Sequence, residues 1–484
     1  MGTAWHVARR RTARAALALA AAATACAPAD EGPPNLLLIT VDTLRADRLA
    51  CYEGPPESGR QLCDVFRDGT RFRWAFSTAP YTAPAVASLL ASRYPAYHGV
   101  TQHAASYLAD PVQTVAEVLA RHGYATAAFV SNPVLEQRRN FGQGFAVYDD
   151  RMTRSERNRP GYAEREARAT TDAALGWARR QPSDTPWFLW VHYQDPHGPY
   201  EPPGAPPARD PPDGEVLPVL PMQSGRGGIP AYQALPGLFT RQAYERRYLD
   251  EIAYLDPELA RLVAELDALA GRRRPGILLT ADHGEAFGED GYYFAHGHSL
   301  GLDQIHVPLL YRPSAPGPAS PDAPRVVDAP VSIVDVAPSL LALAGLPTPP
   351  GYQGRVLPGV AGAAPPAAAR SLFAEHGRRA AVIREGRLYV RDRELGAEAP
   401  DRELGQELPW LPARTAELGP DGAVYRPVPD VAREPLERPL ARFLEQTRDR
   451  RGVRHAEVPN EVAEQMRALG YVEPAGSPQG DPSP

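Results

Sequence analysis

The chain has 484 residues, of which 43% are hydrophobic and 23% charged, and its formal net charge of −6 gives no reason to expect nucleic-acid binding. All 52 basic residues are arginine, because the sequence contains no lysine. Mechanisms that need a lysine nucleophile, a lysine Schiff base or a P-loop lysine are therefore excluded.

The N-terminus has the pattern of an export signal. Four arginines within residues 9–14 precede an apolar, alanine-rich run over residues 15–25, which is too short to span a bilayer comfortably. The run ends in Ala-Thr-Ala before Cys26, similar to a bacterial lipoprotein cleavage box, although alanine replaces the usual leucine at its first position. We therefore predict a lipoprotein-type signal peptide over residues 1–25, with Cys26 lipidated. Plain secretion and a cytoplasmic protein are the alternatives.

Export leads to two expectations about the mature protein. It would be periplasmic or an outer-membrane lipoprotein, in contact with the membrane only through the lipid anchor. The two remaining cysteines, Cys51 and Cys63, would form a disulfide that closes a short loop in an oxidising compartment. Two buried free thiols are the alternative.

From Asn35 onward, strand-like apolar runs alternate with helical patterns, which indicates an α/β fold with a parallel sheet and crossover helices. The predicted strands cover residues 35–41, 125–130, 187–192 and 276–281, and the predicted helices cover residues 112–121, 242–269 and 331–343. Residues 202–236 are rich in proline and glycine and are expected to form a long surface excursion near the site mouth.

A change of composition over residues 362–370 marks a domain boundary, and residues 381–392 resemble a hairpin that turns at Glu385 and Gly386. The predicted organisation is a linker over residues 26–34, a catalytic domain over 35–365, a C-terminal subdomain over 366–473 and a disordered tail over 474–484.

Aspartates stand at the ends of three predicted strands: Asp42, Asp195 and Asp282. Ligand sites in open α/β sheets lie beyond the carboxyl ends of the strands, and three converging carboxylates would repel one another unless a cation holds them. His197 and His283 lie close in sequence to two of them. Oxygen ligands with imidazole suit Zn²⁺ or Mn²⁺, with Ca²⁺ less favoured. A single such aspartate is more often a helix cap or a turn residue.

Thr82 lies two residues before Pro84, which opens an apolar helical run. Its hydroxyl is therefore expected at or near a helix N-terminus, where an alkoxide or a transferred anion would be stabilised. Considered alone, a plain N-cap is the more common role.

Two histidines, His296 and His298, follow the predicted strand over residues 276–281. They could donate to an oxyanion, protonate a leaving group or bind a second metal ion. Ordinary surface-loop histidines are the alternative.

Together these stretches resemble the sulfatase family of the alkaline-phosphatase-like superfamily, over about residues 35–471. The similar segments are 35–45 (first metal-binding strand), 82–100 (nucleophile segment), 188–200 (central strand and a substrate-contacting histidine), 280–285 (second metal pair), 335–341 and 469–471. The resemblance implies a three-layer sandwich with a large mixed, mostly parallel sheet and a small C-terminal α+β subdomain.

The departures from the family pattern define a variant. Thr82 stands where true sulfatases usually carry the cysteine that becomes formylglycine, and Val86 stands where they carry an arginine. Ser131 and Asn132 stand where a lysine and a histidine would be, Thr43 where a second aspartate would be, and His296 roughly where a later lysine would be. These changes make the chain similar to phosphodiesterase and phosphotransferase relatives.

The resemblance implies a metal-dependent hydrolase of phosphate or sulfate esters, with phosphate chemistry somewhat favoured and Thr82 as covalent nucleophile. The implied metal ligands are Asp42, Thr82, Asp282 and His283, and the implied catalytic residues are Thr82, His197 and His296. Asp195, His197, His296 and His298 are candidates for a second metal ion or for substrate contacts. One divalent ion is favoured over two, with Zn²⁺ or Mn²⁺ preferred and Ca²⁺ the alternative.

Two other functions stay open. One is a transferase of phosphoglycerol or phosphoethanolamine on envelope glycans or lipids, although such relatives usually carry several membrane-spanning helices. The other is a non-catalytic binding protein, which Val86 and the missing lysines motivate. The expected partner is a small-molecule, glycan or lipid ester, and the sequence does not indicate an oligomeric state.

Overall fold

A computed structural model describes residues 32–101, 107–221, 224–271, 273–314, 326–364, 370–377, 379–392, 402–403, 406–407, 413–419, 422–426 and 434–447. The predicted signal peptide, Cys26 and the predicted tail over residues 474–484 lie outside these residues. The described residues from Pro34 onward form one compact unit.

The helices and strands are numbered in chain order. The helices are α1 (Arg60–Val65), α2 (Thr82–Ala91), α3 (Pro95–His98), α4 (Val115–Arg121), α5 (Ala167–Ala178), α6 (Arg241–Ala270), α7 (Leu302–Ile305), α8 (Val336–Leu343) and α9 (Glu434–Thr447). The strands are β1 (Leu36–Val41), β2 (Thr70–Phe72), β3 (Ala75–Phe76), β4 (Ala125–Val130), β5 (Val147–Asp149), β6 (Arg154–Ser155), β7 (Ala163–Glu164), β8 (Trp187–Tyr193), β9 (Gly276–Ala281), β10 (Ala286–Phe287), β11 (Tyr293–Ala295), β12 (His306–Val307), β13 (Leu309–Arg312), β14 (Val326–Val327), β15 (Val331–Ser332), β16 (Leu372–His376), β17 (Arg379–Arg384), β18 (Arg387–Asp392), β19 (Arg402–Glu403), β20 (Gln406–Glu407), β21 (Arg414–Gly419) and β22 (Gly422–Arg426).

The large sheet has eight strands in the order β14-β2-β13-β9-β1-β8-β4-β5. Its strands from β9 to β5 are parallel, whereas β13 runs antiparallel to both of its neighbours. Every residue of β1, β8 and β9 is buried, which explains why these strands read as continuous apolar runs in the sequence. The predicted mixed, mostly parallel sheet is confirmed.

Helices cover the two faces of this sheet. Helices α5 and α6 pack against each other on one side, where the Tyr193 hydroxyl on β8 lies 2.7 Å from the Thr171 hydroxyl on α5. Helices α2, α4 and α8 contact one another in a second group. The sheet between these two groups gives the three layers that the sequence predicted.

The longest predicted helix is confirmed as α6, which begins after Thr240, whose hydroxyl accepts a hydrogen bond from the Ala243 amide. The helix predicted over residues 331–343 is wrong at its start. Residues Val331–Ser332 form β15, and α8 begins only at Val336. The Ser332 amide donates to the Asp335 carboxylate, and this capping box holds Ser332 in an extended conformation before the helix.

The C-terminal part contains an antiparallel sheet in the order β16-β17-β18-β21-β22, with α9 packed against β17. Its β17–β18 hairpin turns at Glu385 and Gly386, as predicted, and both residues have positive φ. Apolar side chains of this sheet share a buried cluster with Trp74 and Phe76 of the main domain. The predicted boundary after residue 365 falls outside the described residues and stays a prediction.

Three further features concern the predicted loops, disulfide and membrane contacts. The excursion over residues 202–236 contains one short 3-10 helix, Ala231–Gln233, among the residues described there. Cys51 and Cys63 form the expected disulfide, with Cα atoms 5.7 Å apart. Within the described parts of the chain, no helix has both the length and the apolar character needed to cross a membrane.

Candidate active site

The strand register brings two aspartates together. Val41 of β1 pairs with Ala281 of β9, so the residues that follow them, Asp42 and Asp282, lie side by side beyond the carboxyl ends of the strands. His283 follows directly. Ligand atoms of Asp42, Asp282 and His283 all lie within 4.8 Å of one another, and the three side chains are fully buried. These three residues are called the Asp-Asp-His cluster below.

Asp195 does not join this cluster, which corrects the expectation that the three strand-end aspartates converge. Strands β1 and β8 pair so that Gln194, not Asp195, stands beside Asp42. Because side chains alternate between the two faces of a strand, the next residue points to the opposite face. There burial raises the pKa of the Asp195 carboxyl to about 7, and the Ala167 amide at the start of α5 partly lowers it.

The imidazole of His283 is oriented for ligation. Its Nδ1 lies 2.9 Å from the Gly284 carbonyl oxygen, and a carbonyl only accepts, so Nδ1 carries the proton. The Nε2 lone pair therefore faces the cluster, 3.5 Å from an oxygen of each aspartate. Histidines that bind metal ions in proteins usually donate their second nitrogen in this way.

Thr82 is the first residue of α2, and its side chain is 1% exposed. The residue before it, Tyr81, occupies the N-cap position, so the hydroxyl of Thr82 does not serve as a plain cap. Its Oγ1 lies 3.3 Å from the His283 Nε2, and the hydroxyl is close enough to Asp42 to lower the pKa of that carboxyl. The nucleophile candidate therefore lies inside the cluster, at a helix N-terminus that favours negative charge.

The side chains of this site fit a cation. Burial raises the pKa of Asp42 to about 6, and burial together with the neighbouring carboxylate raises the pKa of Asp282. Several buried polar atoms here have no hydrogen-bond partner within the described protein, which is rare in native structures. They are Asp42 Oδ1, Thr43 Oγ1, Asp282 Oδ2, His192 Nε2 and both amide atoms of Gln194. A divalent ion would stabilise the ionised carboxylates and use the oxygens that lack donors.

Thr43 stands where the family pattern expects a second aspartate. It has φ 54°, in the left-handed region that a β-branched residue seldom adopts. Its amide lies 3.3 Å from Asp282 Oδ1, and its carbonyl accepts a hydrogen bond from the Tyr248 hydroxyl. Backbone strain of this kind concentrates at functional sites.

His197 and His296 line the same site. Their ring centroids are 5.3 Å apart, and the ring of His296 lies 4.5 Å from that of His283. The Nδ1 of His197 donates to the Gly198 carbonyl, and burial holds the pKa of His197 well below its usual range. His296 Nδ1 lies 3.2 Å from a carboxylate oxygen of Glu285.

Glu285 belongs to the DHGE segment, but sequence reasoning assigned it no role. Its carboxyl is fully buried between His296 and the Tyr200 hydroxyl, and burial raises its pKa to about 8. A buried carboxylate beside an imidazole orients the ring and stabilises its protonated form.

His298 lies apart from the cluster. Its ring stacks on Tyr292 with centroids 3.6 Å apart. The Gln304 side-chain carbonyl accepts a hydrogen bond from the Gly297 amide. The NH₂ group of the Gln304 side chain therefore donates to His298 Nε2 at 2.6 Å. The structure thus places His298 in packing and hydrogen bonding rather than at the Asp-Asp-His cluster.

Asn132 and Gln194 are site residues that sequence reasoning did not select. Asn132 Nδ2 donates to Asp42 Oδ2 at 2.6 Å, and Gln194 stands beside Asp42 in the strand register. A polar residue at the end of the central strand was the available signal for Gln194. For Asn132, the available signal was its place, with Ser131, where the family pattern has a lysine and a histidine, but its contact with Asp42 depends on tertiary packing.

The comparisons with known proteins agree with this fold. The sequence model of the Sulfatase family matches residues 34–346. The chain is 25% identical over 377 residues to the uncharacterized sulfatase YidJ of Escherichia coli (strain K12), covering 67% of this chain and 70% of that protein. A solved structure of a protein in complex with its substrate D-glucosamine-2-N,6-O-disulfate has a TM-score of 0.63 at 16% identity and covers 88% of this chain and 100% of that one. The phosphonate monoester hydrolase of Silicibacter pomeroyi has a TM-score of 0.59 at 20% identity, covering 86% of this chain and 95% of that one.

The family match covers more than half of the chain and includes the complete Asp-Asp-His cluster, Thr82, His197 and His296. The solved structures share its fold. The chain therefore belongs to the sulfatase family, within the alkaline-phosphatase-like superfamily, and is an ester hydrolase of that family.

Proposed function

We propose that this protein is a metal-dependent hydrolase of phosphate or sulfate esters in which Thr82 is the covalent nucleophile. One observation carries the proposal: the buried Thr82 hydroxyl lies 3.3 Å from the His283 Nε2, and that nitrogen lies 3.5 Å from an oxygen of Asp42 and of Asp282. A hydroxyl is a weak nucleophile at neutral pH unless a base or a cation activates it. Asp42 and His283 surround it with groups suited to bind a cation.

The proposed ligands are Asp42, Thr82, Asp282 and His283. Among the described residues, ligand atoms converge at this one place, so we propose one ion. Three oxygen ligands and one imidazole nitrogen suit Zn²⁺ or Mn²⁺, with Ca²⁺ as the alternative. When bound, such an ion would lower the pKa of the Thr82 hydroxyl and offset negative charge on the transferred group.

In the first half of the reaction, Thr82 Oγ1, which has already released its proton to solvent, attacks the phosphorus or sulfur atom of the ester. The bond to Oγ1 forms while the bond to the leaving oxygen breaks, and the N-terminus of α2 stabilises the transferred anion. The leaving oxygen takes a proton from an imidazole, for which His296 is the candidate because Glu285 orients its ring and stabilises its protonated form.

In the second half, water attacks the group carried by Thr82. An imidazole of the site, His197 or His296, accepts a proton from that water, and the bond to Oγ1 breaks. Thr82 Oγ1 is released in its ionised form, the site regains the proton that the leaving oxygen took, and the phosphate or sulfate product leaves. His197 contributes its Nε2 to this step, because its Nδ1 donates to the Gly198 carbonyl.

Phosphate esters are the somewhat favoured substrates. Val86, where the formylglycine enzymes carry an arginine, is fully buried in α2 and offers no charge to a sulfate group. The solved phosphonate monoester hydrolase has the same fold with a TM-score of 0.59, which is consistent with phosphorus chemistry on this scaffold. We further propose a glycan, lipid or small-molecule substrate and an exported protein anchored through Cys26.

The second candidate is transfer of the same group to an alcohol of an envelope glycan or lipid. It differs only in which hydroxyl attacks the Thr82 ester. A non-catalytic binding role is disfavoured, because such a role gives no reason to keep Thr82 within hydrogen-bonding distance of His283.

The test is a panel of aryl phosphate monoesters, aryl phosphate diesters and aryl sulfates with the wild-type protein and Thr82→Ala. We expect turnover of at least one ester that chelators abolish, and a loss of about 10⁴-fold or more in Thr82→Ala. Thr126→Ala is the matched control, because Thr126 is a buried threonine whose hydroxyl donates to the Gly144 carbonyl far from the site. Undiminished turnover by Thr82→Ala would contradict the nucleophile assignment.

A further inference from the structure

We propose that Asn132 and Tyr162 are positioning residues that orient Asp42, so that one defined oxygen of its carboxylate is presented to the divalent ion. The proposal rests on the proposed function, because it assumes that Asp42 binds an ion. It concerns residues that follow β4 and lie between β6 and β7, outside the strands that carry the Asp-Asp-His cluster.

The amide of Asn132 has a single permitted orientation. Its Oδ1 lies 2.9 Å from the Val134 amide nitrogen and 3.1 Å from the Tyr162 hydroxyl. The Val134 amide only donates, so the atom facing it must be the amide oxygen, and a flipped side chain would set two donors against each other. The NH₂ group of Asn132 is thereby directed at Asp42, and Nδ2 lies 2.6 Å from Oδ2.

The two oxygens of Asp42 consequently have different surroundings. Oδ2 accepts from Asn132 and has the His192 Nε2 at 3.7 Å. Oδ1 has no hydrogen-bond partner within the described protein and lies 3.5 Å from the His283 Nε2. Since the lone pair of His283 also faces this point, Oδ1 is the oxygen that the ion would meet.

Tyr162 is itself held in place. Its side chain is 3% exposed, and the guanidinium carbon of Arg159 lies 4.3 Å from the ring centroid. Arg159 in turn makes a two-point salt bridge with the buried carboxylate of Glu156. The hydroxyl that fixes Asn132 therefore belongs to a packed segment, which connects the β6–β7 region to a metal ligand.

Partners of this kind raise the affinity of a metal site by holding the ligand in its bound orientation before the ion arrives. Loss of either side chain should weaken ion binding, even though neither contacts the ion.

The test compares the affinity for Zn²⁺ and for Mn²⁺ of the full-length protein and of three variants, by calorimetry and chelator competition. We expect Asn132→Ala to weaken binding by about 10- to 100-fold. Tyr162→Phe, which removes only one hydroxyl, should weaken it by roughly threefold to tenfold. Tyr124→Phe is the matched control, because it removes a tyrosine hydroxyl that donates to the Pro34 carbonyl at 3.1 Å, and its affinity should be unchanged.

Circular dichroism and thermal melting establish that each variant is folded, and Tyr162→Phe decides the question if Asn132→Ala fails to fold. Wild-type affinity in the folded Tyr162→Phe and Asn132→Ala variants would overturn the positioning proposal while leaving the proposed function intact. A wild-type protein that binds neither ion would overturn the proposed function, and the positioning proposal with it.

Discussion

The Asp-Asp-His cluster can be compared with a second group of acidic side chains, the buried Asp195 and Glu251 and the partly buried Glu164, which we call the second carboxyl cluster. Both groups lie near the carboxyl end of the large sheet, and burial raises carboxyl pKa values in both. The pKa of Asp42 rises to about 6, that of Asp195 to about 7 and that of Glu164 to about 8. Burial and raised pKa values therefore do not distinguish an ion site from a structural cluster.

The partners of the carboxylates make the distinction. In the first cluster, an imidazole lone pair and two carboxylate oxygens meet within 4.8 Å. In the second cluster, no three such ligand atoms converge among the described residues. The Arg154 guanidinium acts on all three carboxyls there, and it partly offsets the rise in pKa that burial causes. The comparison shows that a site for the ion is marked by carboxylate oxygens that converge with an uncharged imidazole nitrogen, and not by acidic residues alone.

The largest expected difference between the clusters is in ion binding. Asp42→Asn should lower the affinity for Zn²⁺ by about a thousandfold or more, because it removes a charged ligand, whereas outer partners cost 10- to 100-fold. Asp195→Asn should change this affinity by less than about threefold, because its carboxylate faces α5. Calorimetry on both variants checks the difference. Equal losses would mean that Asp195 does join the ion site.

The second prediction compares the buried Glu285 with the partly buried Glu164, whose pKa values both rise to about 8. Glu285→Gln should lower kcat by about a hundredfold, because an amide stabilises a protonated His296 less well than a carboxylate does. Glu164→Gln should leave kcat near the wild-type value. Steady-state kinetics with an aryl phosphate measures both variants, and a normal kcat in Glu285→Gln would remove His296 from the proton-transfer role.

The third prediction concerns Gln194, whose amide atoms are buried without a partner in the described protein. Gln194→Leu should raise the free energy of unfolding by about 1 kcal/mol, because it removes unsatisfied polar atoms, and should lower kcat/KM by about tenfold. Gln143→Leu is the matched control, since its amide donates to the Leu108 carbonyl and does not contact the residues of the site. Unchanged kcat/KM in Gln194→Leu would show that the amide has no role in the reaction.

The smallest expected effect is a change in the pH dependence of stability. The folded protein raises the pKa of Glu164 from 4.5 to about 8, so between these values the folded state keeps a proton that the unfolded chain releases. The contribution to stability is complete below about pH 4.5 and is lost as the pH rises toward 8. Glu164→Gln should therefore be more stable than wild type at pH 8, by about 1–2 kcal/mol, and nearly equal at pH 5.

Urea unfolding at the two pH values measures this difference. The cluster also contains Arg154, whose guanidinium lies 3.8 Å from the Glu164 carboxylate and limits the gain. A variant that is less stable than wild type at pH 8 would mean that the ion pair outweighs burial, and that the second cluster is held by charge pairing.

The sequence by itself was sufficient for the main features of the fold and for part of the site. Apolar runs predicted β1, β4, β8 and β9, because strands covered on both faces must be apolar along their whole length. It also selected Asp42, Thr82, Asp282 and His283, which the structure brings together. These residues could be identified from the sequence because each lies next to a strand or helix that has a strong pattern of its own.

Only the tertiary structure decided the orientation of the side chains around that site. The register of β8 against β1 places Gln194 beside Asp42 and turns Asp195 toward α5. A register that differed by one residue would exchange the two, and register depends on long-range packing. Asn132 reaches Asp42 across 90 residues of chain, and Glu285 reaches His296 only because β10 and β11 form a hairpin. Hydrogen bonds between residues so distant in sequence have no local pattern, so the groups that orient the ligands became visible only in the folded molecule.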